Sequence, residues 1–303
     1  MNLPRRVYLV LCYIFVRTTP RFWQLIQNRA VSYIYYLAWG SKRRIIAQNI
    51  GVIRNLPPTH PEVKRLTRKA FENYGLYLTD YVSIDILARK LTNKRVQEED
   101  GYRHMRAALD RGNGAILVTP HLGNWELGGV TFARRGHAIH ALTLKDEQAD
   151  VQEFRDSMRK YFGISTLHID PDDPGNVFKM ARLLRQNEVL AMLGDRYEGG
   201  KKCVVEFFGR RTVFSCGAAT LAMATGAAIV PAFVVLGPRG AYRAWMEEPL
   251  YPENAHGENN EAKITSMTQE LARIFEKNIA QHPDQWYQFF NYWERYDVEN
   301  TAY

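Results

Sequence analysis

The feature that most constrains this 303-residue chain is an alternation running from residue 115 to residue 236. Short apolar runs, AILVT (115–119), AIHALTL (138–144), STLHI (165–169), VLAML (189–193), VVEFF (204–208) and AIVPAFVVL (228–236), recur along it. Between them lie stretches with helical character: NWELGGVTFARR, DVQEFRDSMRKYFG, NVFKMARLLRQN and GAATLAMATG. The apolar runs are strand candidates. Strand, helix, strand at this spacing makes the strands parallel neighbours. The prediction is an α/β fold, a mostly parallel central sheet flanked by helices, with a last helix over roughly 260–281. In such sheets the active site forms where strands end and helices begin.

Residues before 110 read as helices. Thr59-His60-Pro61-Glu62 has the pattern of a capping box and opens one of them. YRHMRAALDRGNG is another, stopped by Gly112 and Gly114. Nearer the start, VYLVLCYIFV (7–16) is continuously apolar between Arg5, Arg6 and Arg17. As a helix it rises only about 15 Å, half of a bilayer core. No small-residue cleavage site follows Val16, as a signal peptide would require. FWQLIQNRAVSYIYYLAWG (22–40) and SKRRIIAQNIGVIRNL set Tyr, Trp and Arg around short apolar runs, a composition suited to a membrane interface. The alternative is a helical subdomain whose aromatics form its own core. The chain divides on this reading into an N-terminal helical membrane-interface region, 1–57, and an α/β domain, 58–303.

Forty Lys and Arg against 32 Asp and Glu give a formal charge of +8. Such a chain seeks anionic partners: nucleic acid, an anionic leaflet or an acidic carrier protein. It has no zinc finger, no basic helix free of acids and no RNA-recognition signature, so nucleic acid is not expected. Cys12, Cys203 and Cys216 form no CxxC pair. Reduced, buried thiols are expected, with neither a disulfide framework nor a structural metal.

Chemistry concentrates in VTPHLGNWELGG (118–129). His121 follows a strand end, and Asn124 and Glu126 fall in the first turn of the next helix. A chain reversing there would bring the Glu126 carboxylate to one nitrogen of His121, fix its tautomer and leave the other nitrogen to accept a proton. Glycines 123, 128 and 129 leave room for a substrate or for close helix–sheet packing. No serine or cysteine stands beside the pair in sequence, so the pattern points to activation of a substrate hydroxyl rather than a covalent triad. The spacing is not HExxH, and no metal site is expected. A lone His and Glu five apart are also common as structural residues.

HLGNWE resembles the HxxxxE/D motif of the bacterial lipid A late acyltransferases, related more distantly to the glycerophosphate acyltransferases. RKYFG (159–163) resembles the family's Arg-xxx-Gly. LGDRYEGG…VVEFFGRRTVFSCGAATLAMATGAAIVP (193–231) resembles its Asp, Phe-Phe-Gly, Thr and small-residue helix. HPDQWYQFFNYW (282–293) resembles its Pro-x-Gln-aromatic segment. The resemblance implies a glycerophosphate-acyltransferase-like fold and transfer of an acyl chain from acyl carrier protein or acyl-CoA to a hydroxyl of a lipid A precursor or related glycolipid. It implies no cofactor, and it places the protein at the cytoplasmic face of the bacterial inner membrane, among membrane lipids. His121 would then be the general base and Glu126 its orienting partner. Asn124, Arg159, Asp195, Arg196, Phe207, Phe208 and Gly209 are the expected substrate-binding residues. Arg159 would hold an oxyanion or a phosphate, Asp195 would point into the rim shared with His121, and Phe207 and Phe208 would line an acyl tunnel or sit in the core. Arg196 stands where the family usually has Gln or His, and NYWERYD where it has a basic run; both lie near where an acceptor would be touched.

Overall fold

The computed structural model describes residues 14–85, 87, 96–98, 101–144, 149–170 and 173–299. Most of the apolar run 7–16 lies outside the described residues. Residues 14–18 are helical, and after them come the helices α1 (Arg21–Ala38), α2 (Gly40–Arg54) and α3 (Pro61–Val82). Strand β1 (Val96–Glu98) and helix α4 (Tyr102–Leu109) follow. The predicted alternation comes next: β2 (Ala115–Thr119), α5 (Trp125–Ala133), β3 (Ile139–Leu144), α6 (Ala149–Tyr161), β4 (Ile164–Ile169), α7 (Pro174–Arg185) and β5 (Val189–Leu193). A hairpin, β6 (Lys202–Phe207) and β7 (Arg210–Ser215), interrupts it before α8 (Gly217–Thr225) and β8 (Ala228–Leu236). The chain ends with β9 (Tyr242–Met246), α9 (Asn260–Gln281) and the short α10 (Tyr292–Arg295).

Seven strands form one sheet in the order β1-β9-β8-β2-β5-β3-β4. Strands β8, β2, β5, β3 and β4 run parallel, and β9 runs antiparallel to β8. The expected mostly parallel sheet is therefore present. Side chains on a strand alternate between faces, and both faces here are dry. Ile116, Val118, Leu190, Ile229, Phe233 and Val235 pack into one core with α8 and α9. Ala115, Leu117, Val189, Val230 and Val234 pack into the other with α4 and α5.

Three local features add to or alter the expectations. The cap of α3 is His60, whose Nδ1 accepts from Glu62 N at 3.2 Å, because Pro61 already occupies the first helical turn. The Phe-Phe-Gly segment ends β6 and turns the β6–β7 hairpin. Phe208 and Gly209 have φ of 51° and 68°, the two left-handed positions that a tight two-residue β-turn needs. Finally, Cys203 and Cys216 are joined as a disulfide across the β6–β7 hairpin, not held as separate thiols. Their sequence separation carries no CxxC signal; the hairpin sets Cys203 opposite Phe214, and Cys216, one residue past β7, lies diagonally across from it with its N–H on Lys201 O at 3.0 Å.

Helix α1 is packed in an unusual sense. Its polar side faces the protein. Arg21 pairs with Asp80 of α3, Gln24 Nε2 donates to Val16 O at 2.8 Å, and Asn28 Nδ2 donates to Glu72 O at 2.8 Å. Gly75 makes room for this contact, since a Cβ there would meet Asn28 Oδ1 and Ser32 Oγ at 2.5 Å. The apolar side, with Phe22, Trp23, Ile26, Ile34 and Tyr35 among its residues, is exposed. Those residues are not core, whereas Tyr36 of α1 and Ile46, Ala47 and Ile50 of α2 pack with Val63, Leu66 and Phe71 of α3 into a helical core of their own. No helix among the described residues is long and apolar enough to cross a membrane.

Candidate active site

Neighbouring strands β2 and β5 pair in parallel with Thr119 opposite Leu193. His121 and Asp195 each lie two residues beyond those partners, so the sheet delivers them side by side at one edge. Asp195 Oδ1 is 2.6 Å from His121 Nδ1. Its Oδ2 accepts from the His121 backbone N–H at 3.0 Å, from Trp286 Nε1 at 2.8 Å and from Gln288 Nε2 at 2.8 Å. Asp195 is fully buried. Burial alone pushes its carboxyl up, but the His121 ring, Arg196 and the Trp286 N–H outweigh it and hold the carboxyl below its ordinary range.

This corrects the expected pairing. Glu126 does not orient His121. Its carboxylate is engaged by Arg159, with Nη2 at 2.6 Å from Oε1 and Nε at 3.2 Å from Oε2. Both side chains are buried. The Arg159 pKa is raised: burial pulls it down, but the Glu126 charge more than offsets this. The helix geometry explains the difference. Glu126 sits in the first turn of α5 and pairs with Arg159 of α6, whereas Asp195 follows β5, the neighbour of the strand that His121 follows.

The turn between β2 and α5 requires glycine at 123, where φ is 65° and a Cβ would lie 2.0 Å from Val234 O. There Gly123 N donates to Gln285 O at 2.9 Å and Asn124 N to Val234 O at 2.8 Å. Asn124 caps α5, its Oδ1 accepting from Leu127 N at 3.0 Å, and its Nδ2 lies 3.4 Å from Tyr242 Oη. It is fully buried, so its place is in the scaffold and not at a ligand surface.

His121, Trp125, Glu126, Arg155, Arg159 and Arg196 line one cleft of about 800 Å³, with Lys42 and an aromatic wall that includes Tyr74, Tyr77 and Tyr287. Of the other expected binding residues, Arg196 is fixed by Gln288 Oε1 at 2.9 Å and Tyr287 O at 3.1 Å. Phe207 is buried against Trp286, Tyr292 and Trp293, behind the wall that holds Asp195. Phe208 and Gly209 line a different surface cleft with Gln48, Asn55 and Arg210. Sequence reasoning missed Trp125, Arg155, Trp286 and Gln288; the last two stand in the Pro-x-Gln-aromatic segment, whose function was not legible without knowing that it crosses the strand ends.

A second, apolar cavity of about 80 Å³ adjoins the cleft. Leu117, Thr119, Trp125 and Gly129 line both. It continues under α5 between Gly128, Phe132, Val234, Ala244 and Met246, ending near Tyr102 and Arg135. Among the described residues no His/Cys/Asp/Glu group is arranged to hold a metal ion.

The site is thus a histidine held by a buried carboxylate at the strand ends of a mostly parallel α/β sheet, in a cleft with no serine or cysteine among the described residues that line it. The chain belongs to the bacterial lipid A biosynthesis acyltransferase family, which it matches over residues 5–295, and it is an acyltransferase. It is 28% identical over 282 residues to a phosphatidylinositol mannoside acyltransferase of Mycobacterium tuberculosis, covering 92% of this chain and 85% of that one. A phosphatidylinositol mannoside acyltransferase of Mycolicibacterium smegmatis is 27% identical over 195 residues, 63% of this chain and 60% of its own.

Proposed function

We propose that the protein transfers a fatty acyl chain from a thioester, on acyl carrier protein or CoA, to a hydroxyl of a membrane glycolipid. The observation that carries this reading is the His121 Nδ1–Asp195 contact in a cleft continuous with an apolar cavity. With Nδ1–H given to Asp195, Nε2 carries the lone pair. It accepts the proton of the acceptor hydroxyl as that oxygen attacks the thioester carbon. The tetrahedral intermediate collapses, the C–S bond breaks, and the leaving thiolate takes the proton back from the imidazolium. Asp195 fixes the tautomer and stabilises the imidazolium between those two transfers. Arg159 Nη1 is buried without a hydrogen-bond partner, and its residue lines the cleft, so it is the donor available to a substrate oxygen. The acyl tail enters the apolar cavity past Trp125 and Gly129.

A lipid A precursor and a mannosylated phosphoinositide are both acceptors this chemistry serves; the names of the relatives favour the second. The inverted packing of α1, apolar side outward, supports interfacial association with a leaflet, and a cytoplasmic thioester donor puts that leaflet on the cytoplasmic side. The test is to incubate purified protein with bacterial lipid extract and each acyl thioester, and to identify by mass the lipid that gains one acyl chain. Acylation of no glycolipid with either donor, by protein shown to be folded, overturns the proposal.

A further inference from the structure

Beside α1, residues of α2, of α3 and of the loop that joins them line a further surface cavity of about 500 Å³. Arg43, Arg44 and Lys64 line it, with Tyr36, Gln48, Thr59 and Thr67. No carboxylate is among the described residues that line it. The run Ser41-Lys42-Arg43-Arg44 opens α2, and no acidic residue stands in that first turn. Cations at the positive end of a helix are unfavourable by a few tenths of a kcal/mol each, and here three are placed together. Lys42 turns to the catalytic cleft and donates to Phe289 O at 2.8 Å. Arg43 lies over the Tyr36 ring, 5.2 Å from its centroid, and donates to Tyr36 O at 2.9 Å. Arg44 and Lys64 are exposed at the mouth of the cavity.

The cavity's position says what it faces. Tyr36 is one of its walls, and the flanking Tyr35 and Leu37 belong to the exposed apolar side of α1. If that side lies in a leaflet, the cavity opens at the height of the headgroups. A concentration of positive charge with hydroxyl and amide donors at that height suits a phosphate ester.

We infer that this cavity binds the phosphate of an anionic membrane lipid, a site separate from the acceptor and donor sites, and that it sets the depth and orientation of the catalytic cleft at the leaflet. The inference rests on the interfacial reading of α1, and the experiment separates the two. Full-length protein is sedimented with vesicles of phosphatidylcholine alone and of phosphatidylcholine with phosphatidylglycerol. The Arg44→Ala/Lys64→Ala variant is compared with a charge-matched control on α7, Lys179→Ala/Arg182→Ala. A cation near an anionic surface contributes roughly fivefold to partitioning. The pocket variant is expected to lose on the order of thirtyfold in binding to the anionic vesicles, to bind neutral vesicles as wild type does, and to keep its turnover in detergent micelles. The α7 control is expected to lose much less. Equal losses in both variants, or none in the pocket variant, overturn the inference and leave diffuse charge as the cause. Failure of wild-type protein to bind either vesicle overturns the interfacial reading itself. Inorganic phosphate at matched ionic strength forms the last arm. Thermal stabilisation by phosphate that the pocket variant lacks, without any pocket-dependent vesicle binding, assigns the cavity to a soluble phosphate and overturns the lipid assignment.

Discussion

Asp195→Asn is the perturbation on which the proposed chemistry turns. In the wild-type site Oδ2 accepts three N–H groups, from His121, Trp286 and Gln288, and Oδ1 faces His121 Nδ1. An asparagine has one carbonyl oxygen and one NH2 group. The three donors select the orientation: the carbonyl takes the Oδ2 position, because NH2 there would oppose three N–H groups in a fully buried site. The NH2 group is then left against Nδ1. It donates where the carboxylate accepted, so the ring must carry its proton on Nε2 and present no lone pair to the acceptor hydroxyl. The shape of the site changes little, and the base is lost. The expected loss in kcat is about 10³–10⁴-fold, the range for removing a general base or inverting its tautomer, with KM for donor and acceptor nearly unchanged. The assay is initial-rate kinetics with both substrates varied, paired with ¹⁵N shifts of the His121 ring, which report the tautomer directly. A variant within tenfold of wild type in kcat, or with Nδ1 still protonated, refutes the reasoning.

Other outcomes follow from the same contacts. Glu126→Ala strands the buried Arg159 guanidinium and should destabilise the fold by about 3–5 kcal/mol in urea titrations; coupling to Arg159→Met in a double-mutant cycle should be large, and additivity would show that the pair is not a unit. Because the folded pKa of Asp195 is depressed, its contribution to stability is present above the ordinary carboxylate value of about 3.9 and is lost as pH falls through the lower folded value. Acid-unfolding curves of wild type and Asp195→Asn should therefore converge only below that window, and a constant offset down to the lowest pH contradicts the shift. Gly129→Leu projects a side chain where the cleft meets the apolar cavity, so acyl chains transferred should shorten while the smallest donors keep their rate; an unchanged chain-length profile removes the cavity from the acyl path. Ile26→Lys with Ile34→Lys, two exposed positions of α1, should shift the protein from the membrane to the soluble fraction.

Much of the sheet is legible in the sequence because strands buried on both faces leave continuous apolar runs; AIVPAFVVL and AILVT are strands at the residues the runs mark. Strand β9 was not legible: YRAWM mixes charge and aromatics because the strand lies toward the β1 edge of the sheet. The histidine proposed as the base was singled out by its place at a strand end, but its carboxylate partner was not legible. Sequence distance favours Glu126, five residues away, over Asp195, 74 away. The choice depends on strand order, since β2 and β5 are neighbours in space and not in sequence, and no local pattern encodes that order. What local sequence does encode is the turn: Gly123 admits the backbone of β8, Asn124 caps α5, and both hold His121 where Asp195 meets it.

Helix α1 shows a related limit with the opposite sign. Its aromatic, apolar content is read as interface with core as the alternative, and periodicity cannot say which side is inward. The decision is made by its polar residues. Arg21, Gln24, Asn28 and Ser32 fall on one side at helical spacing, and that side is the one with partners: Asp80, Val16 O and Glu72 O. Asp80 also accepts from Tyr242 Oη at 2.6 Å, and Tyr242 lies 3.4 Å from the Asn124 amide that caps α5. The Arg21 guanidinium is raised in pKa; burial opposes its charge, but the Asp80 hydrogen bond and charge outweigh it. A buried ion pair of this kind contributes little net stability while costing several kcal/mol when one partner is removed, so its consequence is placement. It fixes α1 polar side down on α3, leaves the apolar side outward, and runs through one tyrosine to the cap of the helix that begins beside His121.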